Sequence, residues 1–305
     1  MLQLAAILHV LSALVLAPLL LGIINRTKSF FAGRRGPPLL QMYFDLFKLL
    51  RKGAVYSRTA SWLIVAGPIV GLAAVSVALL LTPLGSVPAL VSFKGDVFLL
   101  AYLLGLMRFF TVLAALDTGS SFEGMGASRE VFFSAQAEPA LLLGLAALAV
   151  QSHAVSLSGI YAVVSGPAVL AQAGPVLLLV AAALLVVFLA ENARIPVDDP
   201  ATHLELTMIH EVMVLDHGGP DLAMIEYAAA LKLWILGALL VGIVVPLRSG
   251  WLMVDFLASL SAMAILAVVT GVIESSMARL KLLRVPQFLV TASMLSILAL
   301  VLVMR

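Results

Sequence analysis

Between Glu191 and Glu226 the sequence concentrates side chains that can exchange protons. Glu191, Asp198, Asp199, Glu205, Glu211, Asp216, Asp221 and Glu226 fall within thirty-six residues, eight of the sixteen acids in the chain, against a single basic residue, Arg194. Three of the five histidines, His203, His210 and His217, share the stretch. A charge run is ordinarily a solvated face. Here Leu204, Leu206, Met208, Ile209, Val212, Met213, Val214 and Leu215 are interleaved with the acids, a background suited to packing against protein or lipid. Desolvation disfavours the charged form of a carboxyl group, and a series of such groups bridged by water makes a proton relay.

Spacing suggests how the stretch is laid out. Glu191 and Arg194 are three apart, which places them on one helix face where they can pair. Pro196 and Pro200 stop helix continuation and put Asp198 and Asp199 in a turn, after which Thr202 to Leu215 can resume as a helix. Two metal chemistries fail. His203 and His210 would sit about 10 Å apart along a helix axis, too far for one ion. The His203-Leu204-Glu205 run imitates the H-x-E of zinc deaminases, whose site needs cysteine ligands, and the chain has no cysteine.

The elements that position these groups follow from composition. Of 305 residues, 63% are apolar and 11% charged, with a mean hydropathy of +1.15. A soluble domain carries about 45–50% apolar and about 25% charged residues, so a water-soluble globule is excluded, as are disorder and coiled coil. Zero cysteines exclude disulfides, thiolate metal sites and a self-held iron–sulfur cluster. About 20 mostly apolar residues cross a bilayer as a helix. Eight stretches qualify, roughly 2–24, 61–82, 96–117, 132–151, 174–191, 226–247, 253–274 and 286–304. The weakly apolar, Ser- and Gly-rich run from Ala154 to Leu170 reads as a surface or re-entrant segment. The expected fold is all-α: a polytopic membrane protein with about eight transmembrane helices.

Basic residues set the expected orientation. The first apolar run has none ahead of it, while Arg26 and Lys28 follow it, which argues against a cleaved signal and puts the N-terminus outside. Thirteen Lys and Arg then fall inside and three (Lys94, Arg248 and Arg305) outside, with Arg108 and Lys232 within spans. This satisfies the positive-inside rule, puts both termini outside and removes any need for a nucleic-acid partner. No repeat of fixed period appears. The chain reads as one transmembrane domain over residues 1–305, with inside loops at about 25–60, 118–131, 192–225 and 275–285.

Further charges lie within or at the edge of spans: Arg108, Glu138 and Lys232, with Glu226 opening the sixth. Such groups usually face a bundle interior or a wet cavity, as a buried ion pair or an ion pathway. Asp117, Glu123, Arg129 and Glu130 line the second inside loop, whose glycines and serines suit a tight, partner-covered turn and form no phosphate loop. In the first inside loop Leu39, Leu40, Tyr43, Phe44, Phe47 and Leu50 recur at helical spacing, with Lys48, Arg51 and Lys52 off that face. That pattern fits an interfacial helix on anionic lipid or a docking surface for a peripheral subunit.

Four stretches carry a family resemblance: Gly33 to Lys52, Asp117 to Pro139, Glu191 to Tyr227, and Glu274 to Gln287. The chain, above all its motif E-N-A-R-I-P-V-D-D-P-A-T-H-L-E-L-T-M-I-H-E, resembles the respiratory complex I membrane subunit 1 family. Within it, the sequence is similar to the branch found in membrane-bound nickel–iron hydrogenases, which includes hydrogenase-4 and formate hydrogenlyase membrane subunits. The resemblance implies a prokaryotic inner-membrane subunit at the heel of a membrane arm, linking electron transfer in a peripheral redox arm to ion pumps alongside.

Carried over by position, Glu191, Arg194, Pro196, Asp198, Glu205, Asp216 and Glu226 match the family's acidic loop and Glu138 a family glutamate, which implies a proton-relay and coupling role for their charged groups; the residue pattern adds Asp199, Glu211 and Lys232 to that set. Docking of the peripheral arm falls to Arg34, Arg35, Asp117, Glu123, Arg129, Glu130, Glu274 and Arg279. It implies no catalytic centre, metal or cofactor in this chain, the nickel–iron centre and iron–sulfur clusters belonging to partners. Those partners are a hydrogenase-like large subunit, an iron–sulfur small subunit, antiporter-like membrane subunits and lipid. The sequence departs from the quinone-reducing branch in a shorter first loop and in the T-M-I-H-E-V-M-V-L-D run, both at the quinone cavity of complex I, which favours the hydrogenase-type branch. A quinone-binding subunit of an NADH:quinone oxidoreductase and a stand-alone ion transporter are the alternatives.

Overall fold

The computed structural model of the chain describes residues 2–164, 167–198, 208–246 and 249–305. Ten helices are present among them: α1 (Leu2–Phe31), α2 (Gln41–Leu50), α3 (Leu63–Leu81), α4 (Asp96–Asp117), α5 (Ser121–Ser152), α6 (Leu157–Val164), α7 (Pro167–Glu191), α8 (Gly219–Val244), α9 (Leu252–Ser276) and α10 (Val285–Met304). All except α2 and α6 contribute a segment long and apolar enough to cross a bilayer, eight in total. At about 1.5 Å per residue, the thirty residues of α1 and thirty-two of α5 exceed the roughly 30 Å hydrocarbon layer, so both reach beyond it. Pro18, Pro68, Pro139 and Pro175 lie inside helices, where neighbouring helices can satisfy the backbone groups they free.

α8 is the centre of the bundle. It packs against α1, α3, α7 and α9, while α3 pairs with α4, and α10 lies against α5 and α7. Trp234 on α8 is fully buried and hydrogen-bonded to His9 of α1. Lipid supplies no hydrophobic drive between helices, so close contact depends on small residues. At Gly67 of α3 an added Cβ would lie 2.9 Å from the Ala114 methyl and 3.3 Å from the Phe110 carbonyl of α4.

Several sequence expectations are revised. No loop spans 118–131: the chain turns at Gly119, with φ +71°, and helix α5 begins at Ser121. The polar letters there suggested solvent, but Glu123, Gly126, Ala127 and Glu130, at helical spacing, are buried and face the 208–216 segment. α8 begins at Gly219, with Pro220 in its first turn, about two turns before the expected span. Of the helix expected over Thr202–Leu215, residues 202–207 lie outside the described residues, and the remainder holds one 3₁₀ turn, Glu211–Val214. The 154–170 run contains α6, only eight residues long and buried at Leu157, Ile160, Tyr161 and Val164, and the start of α7.

Helix α2 is apolar on two sides. Tyr43 turns inward and donates its hydroxyl to the Val15 carbonyl of α1, whereas Leu40, Phe44, Phe47 and Leu50 face outward. Arg51, expected off the apolar face, lies 4.0 Å over the Phe47 ring.

Candidate functional site

Arg108, on α4, gathers carboxylates from two other helices. One terminal nitrogen, Nη1, meets Glu138 of α5; the other, Nη2, is 2.6 Å from Glu191 at the end of α7; Nε is 3.2 Å from Glu130 of α5. Lys232 of α8 approaches Glu191 at 3.7 Å. On the far side of Glu130 stands His210, with Nε2 3.1 Å from Glu130 and Nδ1 3.3 Å from Asp198. Asp198 accepts backbone N–H bonds from Ile209 and His210 and is 2.8 Å from Arg279 of the α9–α10 connection. The resulting row runs Arg279, Asp198, His210, Glu130, Arg108, Glu191 and Lys232, with Glu138 branching from Arg108. Acids and bases alternate, which offsets the desolvation of each.

Local chain geometry builds this row. α7 ends at Glu191, and Ala193 adopts a left-handed φ of +52°, so the backbone reverses and carries Arg194 away from Glu191. The predicted Glu191–Arg194 pair therefore does not form. Arg194 instead joins Lys28 around Glu274 of α9, at 3.4 and 2.8 Å. The 208–214 segment is seated by side chains: Arg129 donates to the Met208 carbonyl at 3.0 Å, and Glu123 accepts the Asp216 N–H at 3.0 Å. Gly126 leaves room for it, since an added Cβ would come within 2.3 Å of Val212 and 3.0 Å of the Ile209 carbonyl.

Two cavities flank the row. One of about 190 Å³ is lined by Arg108, Glu130, Glu191, His210 and Lys232, with exposed Glu226 at its rim and Glu211 among its walls. The other, about 250 Å³, lies between α4 and α5, where Phe98, Tyr102 and Leu142 surround Arg108 and Glu138. The Glu138 side chain is 51% exposed there, on the flank of the bundle.

Burial opposes charge on both loop groups, yet their partners prevail. Burial works against His210, but the Glu130 and Asp198 carboxylates raise its pKa to about 10, so the imidazole is charged at neutral pH. For Asp198, burial is outweighed by the His210 hydrogen bond and charge, the backbone N–H and Arg279, which hold it below the usual carboxylate range.

The expected site residues divide accordingly. Glu138, Glu191, Asp198 and Lys232 come together; Arg194 belongs to the Glu274 cluster; Asp216 is exposed; Glu211 and Glu226 edge the cavity. Asp199, Glu205 and His203 lie outside the described residues. Of the expected docking residues, Arg34 and Arg35 are exposed and Asp117 is half-buried, accepting the Ser61 N–H at 2.6 Å. Glu123, Glu130 and Glu274 are buried within the chain, and Arg129 and Arg279 clamp the loop. Four members of the row are not among the residues expected to act as relay: Glu130 and Arg279, expected in docking; Arg108, conspicuous as a lone arginine in an apolar span; and His210, one of the three histidines of the acidic stretch. Among the described residues, no group of three or more His, Cys, Asp or Glu is placed to hold a metal ion.

Fold and site together define a multi-pass membrane protein organised around an internal row of ion pairs. Residues 3–304 match the NADH dehydrogenase family, to which the chain belongs; this is the family of complex I subunit 1. It is 30% identical over 282 residues to formate hydrogenlyase subunit 4 of Escherichia coli (strain K12), spanning 89% of this chain and 90% of that protein. It is 29% identical over 275 residues to hydrogenase-4 component C of the same organism, spanning 87% and 84%. Its fold matches a chain of the membrane-bound sulfane sulfur reductase, an archaeal respiratory membrane complex, with a TM-score of 0.80, 20% identity and 99% of each chain covered. The chain is accordingly a multi-pass protein of the prokaryotic inner membrane.

Proposed function

We propose that the chain is the membrane coupling subunit of a complex I-like, energy-converting hydrogenase-type complex. Its inner face, opposite both termini, receives a peripheral arm made of a hydrogenase-like large subunit and an iron–sulfur small subunit. Antiporter-like membrane subunits lie alongside. Electron transfer in the arm alters the 192–218 loop, and the change passes through the ion-pair row to move protons or sodium ions. The observation that supports this most directly is the continuity of the row, from Arg279 and Asp198 in the connections to Glu138 on the bundle flank. A charge exposed on a membrane helix is costly, so Glu138 calls for a neighbouring subunit. The relatives' names, formate hydrogenlyase subunit 4 and hydrogenase-4 component C, favour a hydrogenase-type assembly.

The test is Glu138→Gln in the assembled complex, in sealed membrane vesicles, with redox turnover and ion uptake measured together. Ion uptake per turnover falls to background if the reading holds. An unchanged ratio removes it.

A further inference from the structure

A cleft of about 890 Å³ opens at the end of the bundle remote from the ion pairs. Helices α1 and α9 lie side by side and run parallel. Toward their ends Gly271 packs on Ile24 and Thr27, and at their starts the first turns of both helices border the cleft. The α3–α4 connection at residues 83–88 and helix α6 complete its walls. Close contacts fix these walls in place. Gly85, with φ +57°, is pressed against the Ser259 hydroxyl of α9, and a Cβ added at Gly242 of α8 would lie 2.6 Å from the Tyr161 ring. The Tyr161 hydroxyl donates to the Leu239 carbonyl at 2.6 Å.

Most of the lining is apolar, and Leu4, Leu8 and Met253 at its edge are exposed on the bundle flank. Its one charged side chain is Asp255, buried in the first turn of α9. Oδ1 accepts the Ser249 N–H at 2.8 Å and the Ser249 hydroxyl at 2.7 Å, whereas Oδ2 has one long bond, 3.3 Å, from the Ser86 hydroxyl. All three donors are neutral, and among the described residues the lining contains no lysine, arginine or histidine. A carboxylate can accept about four hydrogen bonds, and a buried charge calls for a countercharge. Trp251, largely exposed in the same lining, offers an indole face of the kind that attracts ammonium groups and settles at membrane–water boundaries.

We propose that this cleft binds a phospholipid with a primary ammonium headgroup: the ammonium donates to Asp255 Oδ2 and packs against Trp251, while an acyl chain lies along Leu4, Leu8 and Met253. The charge of the lining, one acid and no base, selects a cationic group over an anionic one. A quaternary ammonium has no N–H and leaves the Asp255 hydrogen bond unmade. The apolar edge on the flank selects an amine tethered to a hydrocarbon chain over one free in water. The volume falls within the roughly 300–1,000 Å³ typical of small-molecule sites. A bound lipid ties α1 and α9 to the 83–88 connection, and this role is independent of the coupling function proposed above.

The experiment incubates the full chain, purified in mild detergent, with equal amounts of phosphatidylethanolamine, phosphatidylcholine and phosphatidylglycerol of identical acyl chains. Native mass spectrometry reads the lipid retained. The wild-type chain keeps one phosphatidylethanolamine in preference to the other two by about tenfold or more, the worth of a hydrogen bond to a charged group. D255N loses that preference. A162W, which fills the cleft from an exposed position on α6 and leaves the carboxylate in place, loses the retained lipid. Equal ranking of the three lipids by wild type, or a preference for phosphatidylglycerol, overturns the proposal. So does a wild-type chain that retains no lipid, the outcome expected if a neighbouring subunit covers the cleft. A folded D255N or A162W that behaves as wild type overturns it equally. If D255N does not fold, the wild-type ranking and A162W decide.

Discussion

Two buried charge clusters lie toward the same end of this bundle, and they differ in connectivity. Around Glu274, one carboxylate is held by Lys28 and Arg194; the set joins α1, α9 and the turn after α7, and Arg194 also lines the 190 Å³ cavity beside the Arg108 row. Around Arg108, each charge has a neighbour of opposite sign that itself has another, two cavities adjoin it, and one member reaches the flank. A single carboxylate held by two cations fastens the helices that carry them. An open series can pass a change along, because altering one member alters the next by the same free energy. The relay role proposed for this chain rests on the second cluster.

Arg108→Gln is the most severe way to break the contrast. It leaves Glu130, Glu138 and Glu191 converging without their shared cation, and breaking a buried pair costs about 3–5 kcal/mol. Thermal unfolding of the purified chain would show a large loss or no folded protein. Glu274→Gln strands Lys28 and Arg194 instead. It should lower thermal stability clearly while leaving ion uptake per turnover unchanged in whatever complex assembles. Glu138→Gln should do the reverse, because its half-exposed side chain contributes little to stability.

Gly126→Ala acts on the loop without touching a charge. Its methyl group meets Val212 and the Ile209 carbonyl, an overpacking that costs about 1–3 kcal/mol. It should weaken His210 seating, read as faster hydrogen exchange over residues 208–214. A smaller effect appears with pH. His210 has a folded value near 10, above the roughly 6.5 of an unfolded histidine. Its contribution is full below about pH 6.5 and is lost as pH rises through about 10. Melting temperatures of wild type and H210Q should therefore converge on alkalinisation. Asp198 works the other way, its contribution fading only on acidification below the usual carboxylate range. Phe47→Ala, on the outward face of α2, should leave the melting temperature in detergent nearly unchanged.

Much of the fold was readable from residue order. A run of twenty apolar residues has one stable conformation in a bilayer, because every backbone polar group must be satisfied within the helix, and the eight spans follow. The family was equally legible in the motif beginning at Glu191. Misreadings arose where polarity was taken for exposure. The Ser121–Glu130 stretch looked like a loop yet forms the start of α5, because its polar side chains have partners in the 208–217 segment. Glu191 and Arg194 stood at pairing distance along an ideal helix, and a single left-handed residue, Ala193, separated them.

Residue types alone settled that this chain lies in a membrane and carries more ionisable groups there than lipid tolerates unpaired. Which acid meets which base was decided by the packing of α4, α5, α7 and α8 around the loop. Ion pairing depends on distances of a few ångströms between residues 83 and 81 positions apart in the chain, Arg108 with Glu191 and Asp198 with Arg279. Hydropathy and spacing carry no information at that range; the tertiary contacts supply it.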